Sequence, residues 1–236
     1  MQVKYKISWW KYLFSYFIEI ELEKITSEIS GDLSVCISDG RLQLNAKKAI
    51  YSWEDKYDNF LKAFDYIFTG KDEDLGRGPK EDVFSLLVLG YGMGSIPYML
   101  EKRHNKRFDC TGIELDEDII YLSNRYANYG LKSGIQIIQA SADLFIEITE
   151  QTYEMICIDI FIQDKIPAQF LKSEFLEMVS RKVVPGGYVL FNHLANKEEE
   201  IQFAEAYFKD VFKKRFPISR LLDVGGNYMM IGLMKD

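Results

Sequence analysis

Histidine is nearly missing from this chain and cysteine is rare: 236 residues hold two of the first and three of the second. His104 and His193 stand far apart, and Cys36, Cys110 and Cys157 each sit alone in an apolar or alternating run. No spacing that builds a zinc site, a Cys-His nucleophile or a disulfide framework occurs, so no metal is expected and the thiols read as reduced and buried. His104 follows Lys102 and Arg103 and is expected in solvent. His193, beside Asn192 at the end of a strand, is a minor candidate for a pocket rim.

Long apolar runs are also missing. Residues 1–20 are rich in aromatics, with Trp9, Trp10 and Phe14, but Lys4, Lys6, Lys11 and Glu19 interrupt them. The roughly twenty uninterrupted apolar residues of a membrane span never accumulate, so neither a span nor a signal peptide is expected, and the expected location is the cytoplasm. There is no excess of positive charge: 29 Lys and Arg face 36 Asp and Glu, scattered along the chain, for a net charge of -7. Nucleic acid is therefore not an expected partner. The compact basic cluster Lys213-Lys214-Arg215 reads as a solvated helix end. Internal repeats and low-complexity segments are absent as well. What remains is 47% hydrophobic and 28% charged, enough for a buried core under a polar surface.

Apolar alternation over residues 17–25 and 33–44, with Gly31 and Asp39-Gly40 as turn signals, predicts an antiparallel β-module over residues 1–50. Tyr57, Phe60, Leu61, Phe64, Ile67 and Phe68 then recur at helical spacing, predicting a helix over 51–68 and, after Gly70, a polar linker to residue 82. From residue 83 to 236 short apolar runs (84–89, 110–114, 135–140, 155–160, 188–192) alternate with amphipathic stretches (96–106, 117–129, 169–183, 198–212). That rhythm predicts strand-helix units around a parallel sheet. Residues 220–222 and 228–233, around Gly225-Gly226-Asn227, predict a closing antiparallel hairpin.

The chemistry gathers at the strand ends. Leu86–Leu89 runs into Gly90-Tyr91-Gly92-Met93-Gly94 and then a helix with Pro97 in its first turn, a backbone that can approach a ligand closely. Taken alone, such a turn is equally a tight βα connection without a ligand. Glu114 follows about twenty residues on, where an acid can accept both hydroxyls of a ribose, and Leu115 can pack on a purine. Ala142-Asp143 places a carboxylate where an adenine amino group can donate, or where it caps a short helix. Asp159 ends the next apolar strand, and Asp164 follows in a loop with Gln163 and Lys165. Asp159 can take a proton from an attacking amine or hydroxyl, hold an ammonium group, or simply brace the loop. The glycine spacing does not favour a dinucleotide pyrophosphate.

Taken in order, several segments resemble the spermidine synthase family, the polyamine aminopropyltransferases, and most closely its methyltransferase-like bacterial members. They are Asp39-Gly40-Arg41-Leu42-Gln43-Leu44, the glycine turn, Gly112-Ile113-Glu114-Leu115-Asp116, Ala142-Asp143, Tyr153-Glu154-Met155-Ile156-Cys157-Ile158-Asp159, Phe175-Leu176 and Pro185-Gly186-Gly187. The resemblance spans residues 33–187. It implies an α/β, Rossmann-like fold of the S-adenosylmethionine-dependent methyltransferase type, with a mostly parallel seven-stranded sheet ending in an antiparallel hairpin, plus a small front β-module. It also implies that Gln43, Glu114 and Asp143 touch an adenosyl cofactor, S-adenosylmethionine or its decarboxylated form, and that Asp159 occupies the catalytic acid position. Gly90, Tyr91, Gly92, Gly94, Leu115 and Ala142 complete the expected cofactor contacts.

Where spermidine synthases carry acids after the hairpin glutamine and inside the glycine turn, this chain has Lys47, Lys48 and Met93. The polar loop after the catalytic acid is replaced by Asp159-Ile160-Phe161-Ile162. Methyl transfer to a small acceptor is the expected reaction, with Tyr51, Trp53 and Tyr91 as pocket walls and Met93 and Asp164 near the substrate. Aminopropyl transfer, a nucleoside-binding module without turnover and a nicotinamide-dependent dehydrogenase are the alternatives. Analogy with the family allows a homodimer.

Overall fold

Alternation shapes the front of the chain. In residues 31–46 it turns Leu33, Val35, Ile37, Leu42 and Leu44 to one face, and all five are buried. The structure, a computed structural model, describes residues 6–47, 49–127, 130–162 and 164–235. Lys4, Lys48 and Gln163, named above, and residue 129, the end of the expected 117–129 helix, lie outside the described residues. A short helix α1 (Trp9–Phe14) precedes a four-stranded antiparallel sheet of β1 (Ile20–Ser27), β2 (Gly31–Ser38), β3 (Arg41–Ala46) and β4 (Ala49–Ser52), paired in that order. Asp39 and Gly40 both take positive φ, 50° and 70°, as a two-residue turn between twisted strands requires.

The helix expected over 51–68 starts later. Ser52 pairs with Leu44 as the end of β4, a single 3-10 turn (Glu54–Lys56) follows, and α2 (Asp58–Phe68) is the helix itself. Backbone pairing with β3 thus claims the first residues of the segment, whatever its later periodicity.

The second sheet has seven strands: β5 (Val83–Leu89), β6 (Arg107–Glu114), β7 (Gly134–Gln139), β8 (Tyr153–Ile158), β9 (Val183–Leu194), β10 (Ile218–Asp223) and β11 (Asn227–Leu233). Their order is β10-β11-β9-β8-β5-β6-β7, with β11 antiparallel to both neighbours and the other pairs parallel. This is the α/β, Rossmann-like architecture with a closing hairpin. β5 explains the two-sided core: Phe84, Leu86 and Val88 pack on one side with α2 and α3 (Ser95–Lys102), while Leu87 and Leu89 pack on the other. A strand buried on both faces has no polar alternation to show. The second side is covered by α5 (Ala142–Ile148), α6 (Ser173–Ser180) and α7 (Glu198–Tyr207).

A further helix, α4 (Glu117–Tyr126), faces the front sheet: its Ile119, Leu122 and Tyr126 join Leu33, Val35, Ile37, Leu42, Leu44 and Met93 in a third core.

Three expected helices end early or break. Asn105 turns to φ 52° after α3, Ala127 is extended after α4, and the 169–183 stretch divides into a 3-10 turn (Ala168–Leu171) and α6 before Val183 enters β9. His104 is not in solvent. Its ring packs against Phe64 and Phe68, Nε2 is buried 3.6 Å from Asp65 Oδ1 without a hydrogen-bond partner among the described residues, and burial lowers its pKa. His193 is likewise buried away from any rim, among Phe191, Phe203 and Tyr207. Desolvation there holds its pKa at about 4.

Candidate functional site

Strand order reverses between β5 and β8: the chain proceeds from β5 to β6 and β7 on one side, then returns to β8 and β9 on the other. Such a switch point leaves a crevice at the carboxyl ends of the strands. Here the crevice is a cleft of about 350 Å³, within the range of small-ligand sites. Gly90 opens it. A Cβ at this residue, with φ at 84°, would lie 2.2 Å from the carbonyl oxygen of Asp159, so only glycine lets the end of β8 run alongside β5. The amides of Gly90 and Tyr91 both donate to the Ile113 carbonyl, at 2.9 and 3.0 Å, and tie the turn to β6.

Two carboxylates face the cleft from the strand ends on either side of β5. Glu114 accepts the Gly92 amide on one oxygen (3.0 Å) and those of Leu115 and Asp116 on the other (2.8 and 3.1 Å). Burial pushes its pKa up, against the lowering effect of those three N–H groups. A carboxylate fixed in this way presents its remaining lone pairs in a set direction and can accept two neighbouring hydroxyls.

Asp159 Oδ1 accepts the Tyr57 hydroxyl at 3.2 Å and the Asn192 amide at 2.9 Å, and Asn192 Oδ1 in turn accepts Asn227 Nδ2 at 2.8 Å. Burial pushes Asp159 up to about 6, the two hydrogen bonds oppose this, and the charge of Glu114 adds to it. A carboxylate in that range is charged at neutral pH yet basic enough to take a proton.

The front sheet closes the cleft. Ile29, Ser30, Ile50 and Tyr51 line it from that side. The turn between β1 and β2 is fastened by Ser27, whose hydroxyl accepts the Ile29 and Ser30 amides (3.0 and 3.1 Å) and donates to Asp116 Oδ2 at 2.5 Å. Asp116 also caps α4 through the Asp118 amide at 3.0 Å. Ser95, in the first turn of α3, bonds the Ser52 hydroxyl at 2.6 Å and accepts the Trp53 amide at 2.9 Å, joining β4 to the glycine turn. Beyond Asp159 the wall begins with Ile160, Phe161 and Ile162 and continues through Asp164, Pro167 and Gln169, with Leu194 beside it. Among the described residues that line the cleft, four are acids, Glu114, Asp116, Asp159 and Asp164, and none is Lys, Arg or His.

In sequence the chain is 28% identical over 108 residues to a protein of Bifidobacterium longum named "Probable polyamine aminopropyl transferase". The match takes in 46% of this chain but only 24% of that protein, so the chain spans about a quarter of the length of this curated relative. Two solved structures, a probable spermidine synthase from Corynebacterium glutamicum and spermidine synthase from Thermotoga maritima, superpose with a TM-score of 0.66 each. They are 16% and 14% identical to this chain; the superpositions cover 90% and 91% of it, and 79% and 72% of the respective structures. In fold the chain resembles these spermidine synthase structures. Human methyltransferase-like protein 13, in complex with SAH, shares the fold at a TM-score of 0.58 and 17% identity over 73% of this chain and 82% of its own. No family model matches the chain.

Of the residues the sequence singled out, the cleft gathers Tyr51, Gly90, Gly92, Glu114, Leu115, Ala142, Asp159 and Asp164 in its lining. Others lie elsewhere. Gln43 is on the face of β3 opposite Leu42 and Leu44. Its Nε2 donates to Asn45 at 2.8 Å, and its carbonyl oxygen is buried without a partner among the described residues. Tyr91 packs its ring on β6, against the space a Cβ at Gly112 would take. Gly94 caps α3 in a left-handed conformation. The Trp53 indole donates to the Ser38 carbonyl at 3.3 Å. Asp143 Oδ1 holds the Leu144 amide at 3.0 Å and the Ser141 hydroxyl at the start of α5, beside the lining residues Ser141 and Ala142. Lys47 is exposed.

Met93 points into the core between the front sheet and α4. Replacing it with aspartate is therefore expected to bury an unpaired carboxylate there, destabilising the chain by several kcal/mol, on the order of 10 °C in melting temperature. An unchanged melting curve would contradict this packing.

Tyr57, Asn192 and Asn227 were not anticipated at the site. Asn192 carries the one available signal, an amide inside the apolar run of β9 that has to find a buried partner.

Proposed function

We propose that the cleft transfers a methyl group from S-adenosylmethionine to a small acceptor, with Asp159 receiving the acceptor's proton. The observation that carries the acceptor side of this reading is the apolar wall Ile160-Phe161-Ile162 directly after Asp159, where a diamine would need counter-charges. The donor side rests on Glu114, whose three backbone amides aim it at two ribose hydroxyls, with half-exposed Leu115 and nearly buried Ala142 offering apolar surface to a purine. These residues fit an adenosyl group. Bound there, a sulfonium supplies an electrophilic carbon and leaves as a neutral thioether.

Asp159 does the rest of the work assigned to this chain. Tyr57 and Asn192 occupy its Oδ1 and fix the plane of the carboxylate, and the buried setting raises its basicity. Ile29 and Ser30, held down by Ser27, shield the cleft from water.

A second reading, aminopropyl transfer from the decarboxylated donor, is favoured by the sequence match to a probable polyamine aminopropyl transferase and by the four acids and absent cations of the lining. Purified protein is incubated with each donor and a panel holding a diamine, an aryl-alkyl monoamine and an alcohol, and products are read by mass spectrometry. Methylated product from S-adenosylmethionine supports the first reading and aminopropylated diamine the second. Saturable nucleoside binding without any product leaves a binding module.

A further inference from the structure

Strand order lays the cleft out as a line. Along the sheet's edge stand Glu114 at the end of β6, the glycine turn after β5, Asp159 after β8, Asn196 after β9 and Asn227 at the start of β11, where it pairs with Leu194. Everything assigned to the donor lies on the β5 and β6 side of Asp159. On the far side three asparagines line the cleft: Asn196, Asn227 and, from α2, Asn59 beside the Tyr57 hydroxyl.

The fold holds these amides in place. The Ala195 amide donates to the Gly226 carbonyl at 2.9 Å, which ties the end of β9 to the turn between β10 and β11. Gly226 takes φ 84°, and a Cβ on it would strike Asn196 Oδ1, so the glycine leaves room for that side chain beside Asn227. The polarity of Asn227 is set as well. An ionised Asp159 can only accept, so fully buried Asn192 must turn Nδ2 toward it and Oδ1 toward Asn227. Asn227 answers with its own Nδ2, and its Oδ1 is left as an acceptor for the cleft that Asn227 lines.

We propose that this corner is the specificity subsite for the acceptor. It holds an uncharged group that carries an N–H, a carboxamide, lactam or urea, on the molecule whose amine or hydroxyl gives its proton to Asp159. This rests on the transfer reading given above. Charge excludes the other polar groups. A carboxylate or phosphate would meet acids and, among the described lining residues, no cation. A second ammonium would meet neutral amides, because Asp116 is engaged by Ser27 and the Asp118 amide, and Asp164 is exposed beside exposed Lys165. An ester has no hydrogen for Asn227 Oδ1. In the transfer itself the acceptor's nitrogen or oxygen bonds to the methyl carbon as the carbon–sulfur bond breaks. The electron pair of that bond stays on sulfur, the acceptor's proton goes to Asp159, and the amide-type group is unchanged.

Ligand-observed NMR on the full chain, with and without S-adenosylhomocysteine, tests the subsite. The probes are para-(aminomethyl)benzamide, the corresponding methyl ester, para-methylbenzylamine and diaminobutane. The carboxamide is expected to bind about tenfold more tightly than the ester or the methyl compound, since only it donates to Asn227. Asn227→Leu should erase that preference. Asn196→Asp, which keeps the shape of the corner and adds a charge, should move the order toward the diamine by about tenfold. The wild-type comparison and Asn196→Asp decide the question even if Asn227→Leu fails to fold. Binding is read without turnover, so a chain that transfers an aminopropyl group, or nothing, still tests the subsite. The mass of any product, a gain of one methyl or one aminopropyl group, tests the transfer reading separately. Equal binding of carboxamide and ester, tighter binding of the diamine by the wild type, a preference that survives Asn227→Leu, or no measurable binding of the carboxamide would each overturn the proposal.

Discussion

Replacing Glu114 with glutamine is expected to cost the chain its affinity for an adenosyl ligand, by about two to four orders of magnitude. Two hydroxyls donated to a carboxylate are charge-assisted hydrogen bonds worth roughly 1.5–3 kcal/mol each; the NH2 of glutamine can accept neither hydroxyl, and its uncharged carbonyl oxygen accepts at most one, more weakly. The same substitution turns a donor toward one of the three backbone amides that Glu114 now accepts, so the glycine turn loosens along with the ligand. Titration calorimetry with S-adenosylhomocysteine and methylthioadenosine measures the loss, and a melting curve shows whether the fold persists. Because burial raises the Glu114 pKa, affinity should also fall on acidification. Wild-type affinity in the variant would remove the ribose role and most of the site with it.

The second large effect is expected at Asp159→Asn. Asparagine keeps an oxygen for Tyr57 and Asn192 but cannot take a proton, so turnover should drop by roughly 10²–10⁴ while nucleoside binding changes little. In the wild type the acid must be ionised to act as a base. With its pKa at about 6, kcat/KM is expected to rise with pH and level off above that value. Stability runs the other way. The folded-state pKa lies above the ordinary 3.8, so the stabilising neutral form is fully populated below 3.8 and lost as pH rises through about 6. The asparagine variant, neutral throughout, should be more stable than the wild type at pH 8 by up to about 3 kcal/mol, and the two should converge near pH 4. A variant with full turnover would reduce Asp159 to a brace for its loop.

The sheet and the two acids at its edge were legible because each is a local pattern. An apolar run such as Leu86–Leu89 or Ile156–Ile158 has to be a buried strand, and an acid or glycine at its end has to sit at the sheet's edge. The partners of Asp159 were not legible in the same way, since Tyr57 and Asp159 are 102 residues apart and meet only through the packing of α2 against the sheet. Tyr57 reads along the chain as one more aromatic on a helical face. Gln43 misled for a different reason. A motif match drew it toward the cofactor, while the two-residue period of β3, with Leu42 and Leu44 inward, turns it to the other face. Met93 is the third kind of miss: sequence locates the glycine turn but not the direction in which its one long side chain leaves, which the front sheet decides. For α1, interruption by lysines gave no sign that the aromatics between them would share one outward side.

The join between the two sheets bears on the order in which the chain is finished. Leu33, Val35 and Leu44 emerge first during synthesis, yet the surface that covers them belongs to Met93, Ile119, Leu122 and Tyr126. The hydrogen bond that fastens the first turn, Ser27 to Asp116, spans 89 residues. A nascent chain stopped short of α4 therefore carries a sheet whose apolar face has Ile7 and Tyr12 beside it but lacks Ile119, Leu122 and Tyr126, an opening for chaperones or for another nascent chain. The four strands made first reach their final packing only once α4 has been made.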